Sequence, residues 1–373
     1  MKCLLSDIAE VTMGQSPKSE YYNSIGQGMP FLQGNRTFGK RYPVFDTYTT
    51  MATKTARAGD VIMSVRAPVG DLNITPVDMC LGRGVCGIRM KNGNQDFLFY
   101  LLKHYMPQLL NKESGTVFGS VNRNDINGLE VNIPCDESAQ RKISRFLSML
   151  DEKIEVNEKI NDNLLQQARL MYKDRFIDMT AFDGTIPNDW HEGTVSEIIE
   201  LHDSQRIPLS SRERADLAKI YPYYGATSVM DYVDRYIFDG IYLLLGEDGT
   251  VVDDKGFPIL QYVEGKFWVN NHAHIITGKN GFSVELLYLL FSMTNVQSIV
   301  TGAVQPKISQ ANLNKVPVVI PSTTVLKAFD SIIQPIFSQI RNLRAENDRL
   351  AAMRDTLLPK LMSGELDVSD IEL

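Results

Sequence analysis

SGTVFGSVNRNDINGLEVNIP (114–134) lies over TGAVQPKISQANLNKVPVVIP (301–321) without a gap, at an offset of 187. Gly115, Val117, Asn127, Val131, Ile133 and Pro134 are identical to Gly302, Val304, Asn314, Val318, Ile320 and Pro321. Upstream, FLFYLLKHYM (97–106) answers ELLYLLFSMT (285–294), each read as a short amphipathic helix. Earlier still, LLSDIAEV (4–11) answers TVSEIIEL (194–201). Self-similarity at a nearly fixed offset is the mark of an internal duplication, so two globular units of about 135 residues follow one another. DVIMSV, GIYLLL, KFWVNNHAHIIT and LEVNIP, β-branched and aromatic runs broken by glycine, predict strands in both.

After each unit the texture changes. From Ser138 to Asp178 and from Val325 to Met362, proline is almost absent and helix formers dominate. Apolar residues fall at Ile143, Leu147, Leu150, Ile154, Leu164, Ala168 and Met171, and again at Phe329, Ile333, Ile336, Ile340, Leu343, Leu350 and Leu357. Steps of four and three describe a coiled-coil seam. Helices of about 40 residues would be roughly 60 Å long, too long for one small β-rich unit to cover. The expected fold is therefore α+β: two similar β-rich globular units separated by two long antiparallel helices, related by a pseudo-twofold repeat. Expected boundaries are 1–136, 137–180, 181–323 and 324–373. Asn161 and Asn347 interrupt the seams at matching points, as register markers or as exposed positions.

Composition narrows the classes. No run of about 18 apolar residues could cross a bilayer, and MKCLLSDIAE meets acidic residues too early for a secretory signal. Cys3, Cys80, Cys86 and Cys135 form no CxxC pair and read as buried thiols of a reducing cytoplasm. A net charge of −7 argues against simple nucleic-acid binding, but the charge is uneven. Residues 1–135 hold 14 Lys and Arg against 11 Asp and Glu, whereas residues 181–321 hold 10 against 17.

Three patterns invite catalytic readings and fall short. GNRTFGKR (34–41) approaches a P-loop, but Arg41 stands where Ser or Thr should hold magnesium, and Pro43 opposes a following helix. Asp254 with Glu264 and Lys266 imitates a metal-dependent nuclease; otherwise EGK is a hairpin turn. His272 and His274 would share one side of a strand without an evident third ligand, so no metal is expected. Neither an Asn/Asp-Pro-Pro-Tyr motif nor a glycine-rich turn for S-adenosylmethionine is present.

QRKISRFLSMLDEKIEVNEKINDNLLQQA (140–168), MRDTLLPKLMSGEL (353–366) and IPNDWHEGTVSEI (186–198) together resemble the specificity subunit of type I restriction-modification enzymes. That architecture, two target-recognition domains separated by two helical regions, covers the whole chain. The first unit departs from it in lacking the entry seen at Pro187 and Trp190. The resemblance implies a non-catalytic, cytoplasmic subunit that needs no cofactor and reads a bipartite double-stranded DNA site. Two methyltransferase subunits carrying S-adenosylmethionine would dock on the helices, and two ATP- and Mg-dependent restriction/translocase subunits would complete a larger complex. Isolated chains would be able to pair through exposed helix faces.

Base reading needs paired donors and acceptors on loops able to enter a groove. Candidates in the first unit are Gln15, Ser16, Lys18, Gln33, Asn35, Arg36, Arg66 and Arg83, which makes GNRTFGKR a glycine-flexed contact loop. In the second unit they are Tyr223, Tyr224, Gly225, Thr227 and Ser228, then Glu247 and Asp248, then Asn270, Asn271 and His272. Carboxylates would accept from cytosine, and Lys307 would meet phosphate.

Overall fold

The computed structural model describes residues 1–111, 119–302 and 304–368. Gly115 and Val117 of the repeat lie outside the described residues. The chain divides into two compact units, Met1–Val156 with Ala345–Leu373, and Asn157–Arg344.

In the first unit an antiparallel sheet runs in the order Ala9–Met13, Val85–Met90, Val61–Ser64, Leu72–Ile74. A second sheet sets Met29–Leu32 parallel to Met79–Leu81. Val61–Ser64 is buried on both faces, which explains why DVIMSV shows no polar alternation. The helix Gln95–Asn111 covers the first sheet and buries every residue from Phe97 to Leu102. It is a core helix rather than the amphipathic one expected.

The second unit repeats the plan. Its sheet order is Ile199–Leu201, Ala273–Gly278, Phe238–Gly246, Leu260–Val269, Tyr221–Tyr224, Val229–Val233. Again one contact is parallel, Tyr223 and Tyr224 pairing Trp268 and Val269. Its short helix Val284–Phe291 buries all but two of its residues, Val284 and Tyr288. EGK is not a turn: Glu264, Gly265 and Lys266 lie inside one ten-residue strand, opposite Ile241, Gly240 and Asp239. The two glycines that face each other there have φ of +142° and +80°, values open to glycine, so the strand continues through a kink. KFWVNNHAHIIT breaks at 270–272, which puts His272 in a turn and His274 in the strand.

Long helices Glu137–Tyr172 and Thr323–Ser363 follow the two β-rich portions, and each contributes residues to both compact units. Every apolar seam position named from sequence is buried or half-buried. Within the first unit, Arg354 meets Asp151 at 2.5 Å and Asn347 Nδ2 donates to the Ile154 carbonyl at 3.4 Å, so ascending numbers meet descending ones. Within the second, Phe329 packs edge-on to Tyr172 and Phe176, in a cluster that also buries Trp190. The completely buried seam asparagine is Asn157, whereas Asn161 and Asn347 are half-buried. Two cysteines depart from expectation: Cys80 and Cys86 are buried, but Cys3 is half-buried and Cys135 exposed. Burial pushes the Cys86 thiol up to about 12. No described helix is long and apolar enough to cross a membrane.

Candidate nucleic-acid interface

At one edge of the first unit, loops from several strands are stitched together by their backbones. Gly82 N donates to the Leu32 carbonyl at 2.8 Å, Gly84 N to Gln33 at 2.9 Å, Val65 N to Gly84 at 2.9 Å, and Val121 N to Val65 at 3.1 Å. Gln15 N joins the set by donating to Leu81 at 2.9 Å. Glycine makes the approach possible: a Cβ on Gly14 would stand 2.0 Å from the Gly82 carbonyl oxygen, and one on Gly84 would stand 2.5 Å from that of Gln33. Ser16 ties three loops, its hydroxyl donating to Gln33 Oε1 at 2.8 Å and accepting from Arg83 N at 3.1 Å.

Most first-unit candidates therefore converge. Gln15, Gln33, Arg66 and Arg83 are exposed around this junction, and Ser16 is half-buried within it. Asn35 is drawn aside to Asp71 at 2.5 Å. Arg36 is paired with Asp46 at 2.6 Å, a hydrogen bond that holds the Asp46 carboxyl below its ordinary range. Lys18 is exposed, 3.8 Å from Glu20.

GNRTFGKR is not followed by a helix. Gly39 N donates to Tyr42 O at 3.1 Å, and Phe38 bridges Pro43, turning the chain back on itself. Arg41 then dives inward, only 6% exposed, to Asp96 at 2.6 Å, Tyr100 Oη at 3.2 Å and Ser148 Oγ at 3.1 Å. The stretch supplies a loop with one buried anchor and lacks the helix N-terminus a phosphate cradle needs.

The second unit has the same stitches. Asn270 N donates to Tyr224 O at 3.0 Å, Glu247 N to His272 O at 2.8 Å, and Ile308 N to Glu247 O at 2.9 Å. Asn271 thus stands where Arg83 stands, and the isolated bridge Asp248–Lys307 repeats Arg66–Ser120. The candidates again fall on one loop cluster, but not all face outward. Tyr223 is 2% exposed, and its hydroxyl accepts from Leu209 N at 2.9 Å. Asn270 is 4% exposed; its Oδ1 accepts from His272 N at 2.8 Å and fixes the turn. Gly225 is also buried, so the surface consists of exposed Thr227, Ser228 and Asn271 with half-buried Tyr224, Asp248, His272 and Lys307.

Beneath this surface lies a polar network that the sequence did not announce. His274, fully buried, points Nδ1 at Asp203 Oδ2 (2.6 Å) and Nε2 at the Ile308 carbonyl (2.8 Å). Asp203 also accepts from Ile275 N at 2.8 Å and Gln310 Nε2 at 2.5 Å. Burial pushes the Asp203 carboxyl up, but the bond from His274 and these other donors outweigh it and hold the group below its ordinary range. Glu247 takes Arg206 at 2.6 Å and Lys307 at 3.2 Å, so its carboxylate is already occupied and is not free to accept from cytosine. The Glu247 hydrogen bond likewise raises the Lys307 ammonium. Asp203, Glu247 and His274 are the described side chains close enough to share an ion. Arg206, Lys307 and Gln310 already fill their coordination needs, so the set works as an ion-pair network. Asp254 is exposed in another loop, Glu264 pairs with Arg341 at 3.3 Å, and Lys266 lies over the Tyr236 ring.

The repeat could have led to further members of the site. Shifting Gln15 and Ser16 by the 190 residues that relate LLSDIAEV to TVSEIIEL lands on Gln205 and Arg206. Gln205 is exposed at the cluster, and Arg206 is drawn into the network. Met230, 56% exposed on the edge strand, lays its sulfur 3.2 Å from Asn270 Nδ2; nothing in a single sequence marks it.

Comparison with known proteins agrees with this duplicated plan. The family model of the type I restriction modification DNA specificity domain matches twice, over residues 2–166 and 187–352. A Methanocaldococcus jannaschii protein assigned as the MjaX type I restriction enzyme specificity subunit is 38% identical over 157 residues, which is 42% of this chain and 37% of that one. The type I restriction enzyme MjaIX specificity subunit of the same organism is 25% identical across 98% of this chain and 93% of its own. The crystal structure of the S subunit of a type I restriction-modification system from M. genitalium shares the fold, with a TM-score of 0.58 at 18% identity, covering 97% of this chain and 96% of that one. With two family matches that together span most of its length, this chain belongs to the type I restriction-modification DNA specificity family.

Proposed function

We propose that this chain is the sequence-reading subunit of a type I restriction-modification complex and performs no catalysis itself. Each unit reads one half of a bipartite duplex site. The long helices keep the two readers at a set separation and dock two methyltransferase subunits, with restriction/translocase subunits joining the larger assembly in the cytoplasm. On this reading the target-recognition domains are residues 1–136 and 181–323, and the helical regions are 137–180 and 324–373. S-adenosylmethionine, ATP and magnesium belong to the partners.

The observation that carries the reading is that one backbone frame, used twice, presents two different sets of exposed polar side chains at the same edge. Duplicate frames suit two half-sites, and divergent side chains suit two different sequences. Half-site centres about one helical turn apart, ~10 bp, would let both readers work on one face of DNA. The bases between them would be spanned without being read.

Replacing residues 1–135 with the corresponding unit of a relative, then mapping methylated adenines in host DNA, tests it. One half of the methylated motif should change while the other half and the spacing persist. An unchanged motif would reduce the chain to a scaffold without a reading role.

A further inference from the structure

The two loop clusters share a backbone but handle positive charge in opposite ways. In the first unit, Val65 N donates to Gly84 O, so Arg66 and Arg83 each sit one residue from a shared hydrogen bond. Both are exposed, and among the described residues neither guanidinium has an acidic partner. Bridged to Arg66 is the neutral Ser120. At the equivalent places of the second unit stand Asp248, Lys307 and Asn271. There, Lys307 is neutralised by Glu247 at 3.2 Å and Asp248 at 3.4 Å, and Arg206 by Glu247 at 2.6 Å. The balances of the β-rich stretches run the same way, positive over residues 1–135 and negative over residues 181–321.

Resting on the DNA-reading role proposed above, we propose that the two units divide the work of binding unequally. Arg66 and Arg83 of the first unit contact backbone phosphates and supply much of the salt-sensitive affinity, while the second unit selects its half-site with groups that carry no free positive charge. The physical ground is that exposed cations with no acidic partner among the described residues raise the local positive potential and release counterions from a polyanion on contact. A lysine already bound by two carboxylates releases few counterions from DNA, because it must first surrender those partners. The second cluster offers Thr227, Ser228, Asn271 and Gln205 instead, side chains that discriminate bases without adding charge.

The test is a salt titration of duplex binding by the full chain, using a mixed-sequence duplex and one containing its methylated motif. Each phosphate contact contributes about 0.9 to the slope of log K against log salt. The Arg66→Gln/Arg83→Gln variant should lose about 1.8 of that slope on both duplexes, and the Arg66→Lys/Arg83→Lys variant should keep it. Lys307→Gln should shift the slope by much less than one phosphate. Melting curves confirm folding, and the double Gln variant should melt no lower than the parent because it loses two cations without an acidic partner among the described residues. An unchanged slope in the double Gln variant overturns the division of labour. So does a loss confined to the motif duplex that lysine does not rescue, which would make the arginines base readers. A chain that binds neither duplex at any salt overturns the reading role itself, a result distinct from binding with an unchanged slope.

Discussion

Removing the Asp203 carboxylate should cost the second unit far more than an average surface change. In Asp203→Ala, buried His274 loses its Nδ1 partner at 2.6 Å, Ile275 N–H its acceptor at 2.8 Å, and Gln310 its bond at 2.5 Å. Breaking a buried charged pair costs about 3–5 kcal/mol, and an orphaned buried donor about 1–3 kcal/mol, though the two overlap here. A total of about 4 kcal/mol is expected. At roughly 2–4 °C per kcal/mol for a unit of this size, calorimetry should show a drop of about 8–16 °C. Hydrogen exchange should locate the loss in the segments that Asp203, His274 and Gln310 join. The pH dependence has a definite sign. Because the folded carboxyl lies below its ordinary range, its stabilisation is complete above the unfolded value of ~3.9 and vanishes as pH falls through the lower folded value. The gap between parent and variant should therefore be constant from neutral pH to about 4 and close below it. A loss under about 1 kcal/mol, or one spread equally over the first unit, would refute the claim that this network supports the second cluster.

Gly84→Ala in the first unit brings a methyl group within 2.5 Å of the Gln33 carbonyl oxygen; denaturant melts should show a loss of about 1–3 kcal/mol, and methylation of the first half-site should weaken. Asn161→Leu with Asn347→Leu should raise stability while broadening assembly states seen by light scattering, since Asn161 Oδ1 is buried without a hydrogen-bond partner among the described residues. Glu264→Ala removes a partly exposed pairing with Arg341, worth about 0–1 kcal/mol, and should leave restriction and methylation in cells unchanged; a collapse of either activity would revive the nuclease pattern.

The architecture was legible because duplication leaves a trace at every level. A nearly fixed offset revealed the repeat, and the three-four spacing marked both long helices. Side-chain fate was less legible. Tyr223 and Asn270 look like surface residues of a polar run, yet parallel pairing of Tyr221–Tyr224 with Leu260–Val269 turns the first inward, and a side-chain turn consumes the second. Arg41 is part of a basic string, but only the later placement of Asp96, Tyr100 and Ser148 shows that it is an anchor. EGK carries every sign of a hairpin, and its strand becomes evident only when Gly265 is seen opposite Gly240. For Tyr223, Arg41 and EGK the outcome depends on contacts with residues distant in sequence, which local propensity does not encode.

The same limit explains how one backbone came to hold two chemistries. Met13 pairs with Cys86 in the first unit, at the positions that the second fills with Asp203 and His274, and Val65 answers Glu247. An apolar interior needs no counter-charge, and the first cluster leaves Arg66 and Arg83 without an acidic partner among the described residues. A charged interior must be satisfied completely, and the second cluster satisfies it by drawing in Arg206 and Lys307 from the loops above. Exchanging the interior triads alone should therefore alter which cations are free. Met13→Asp, Val65→Glu and Cys86→His without a matching arginine should unfold the first cluster, and adding Ser16→Arg and Ser120→Lys should restore part of the lost stability. If the triad were tolerated without those cations, the link between what lies beneath each cluster and what it offers DNA would be broken.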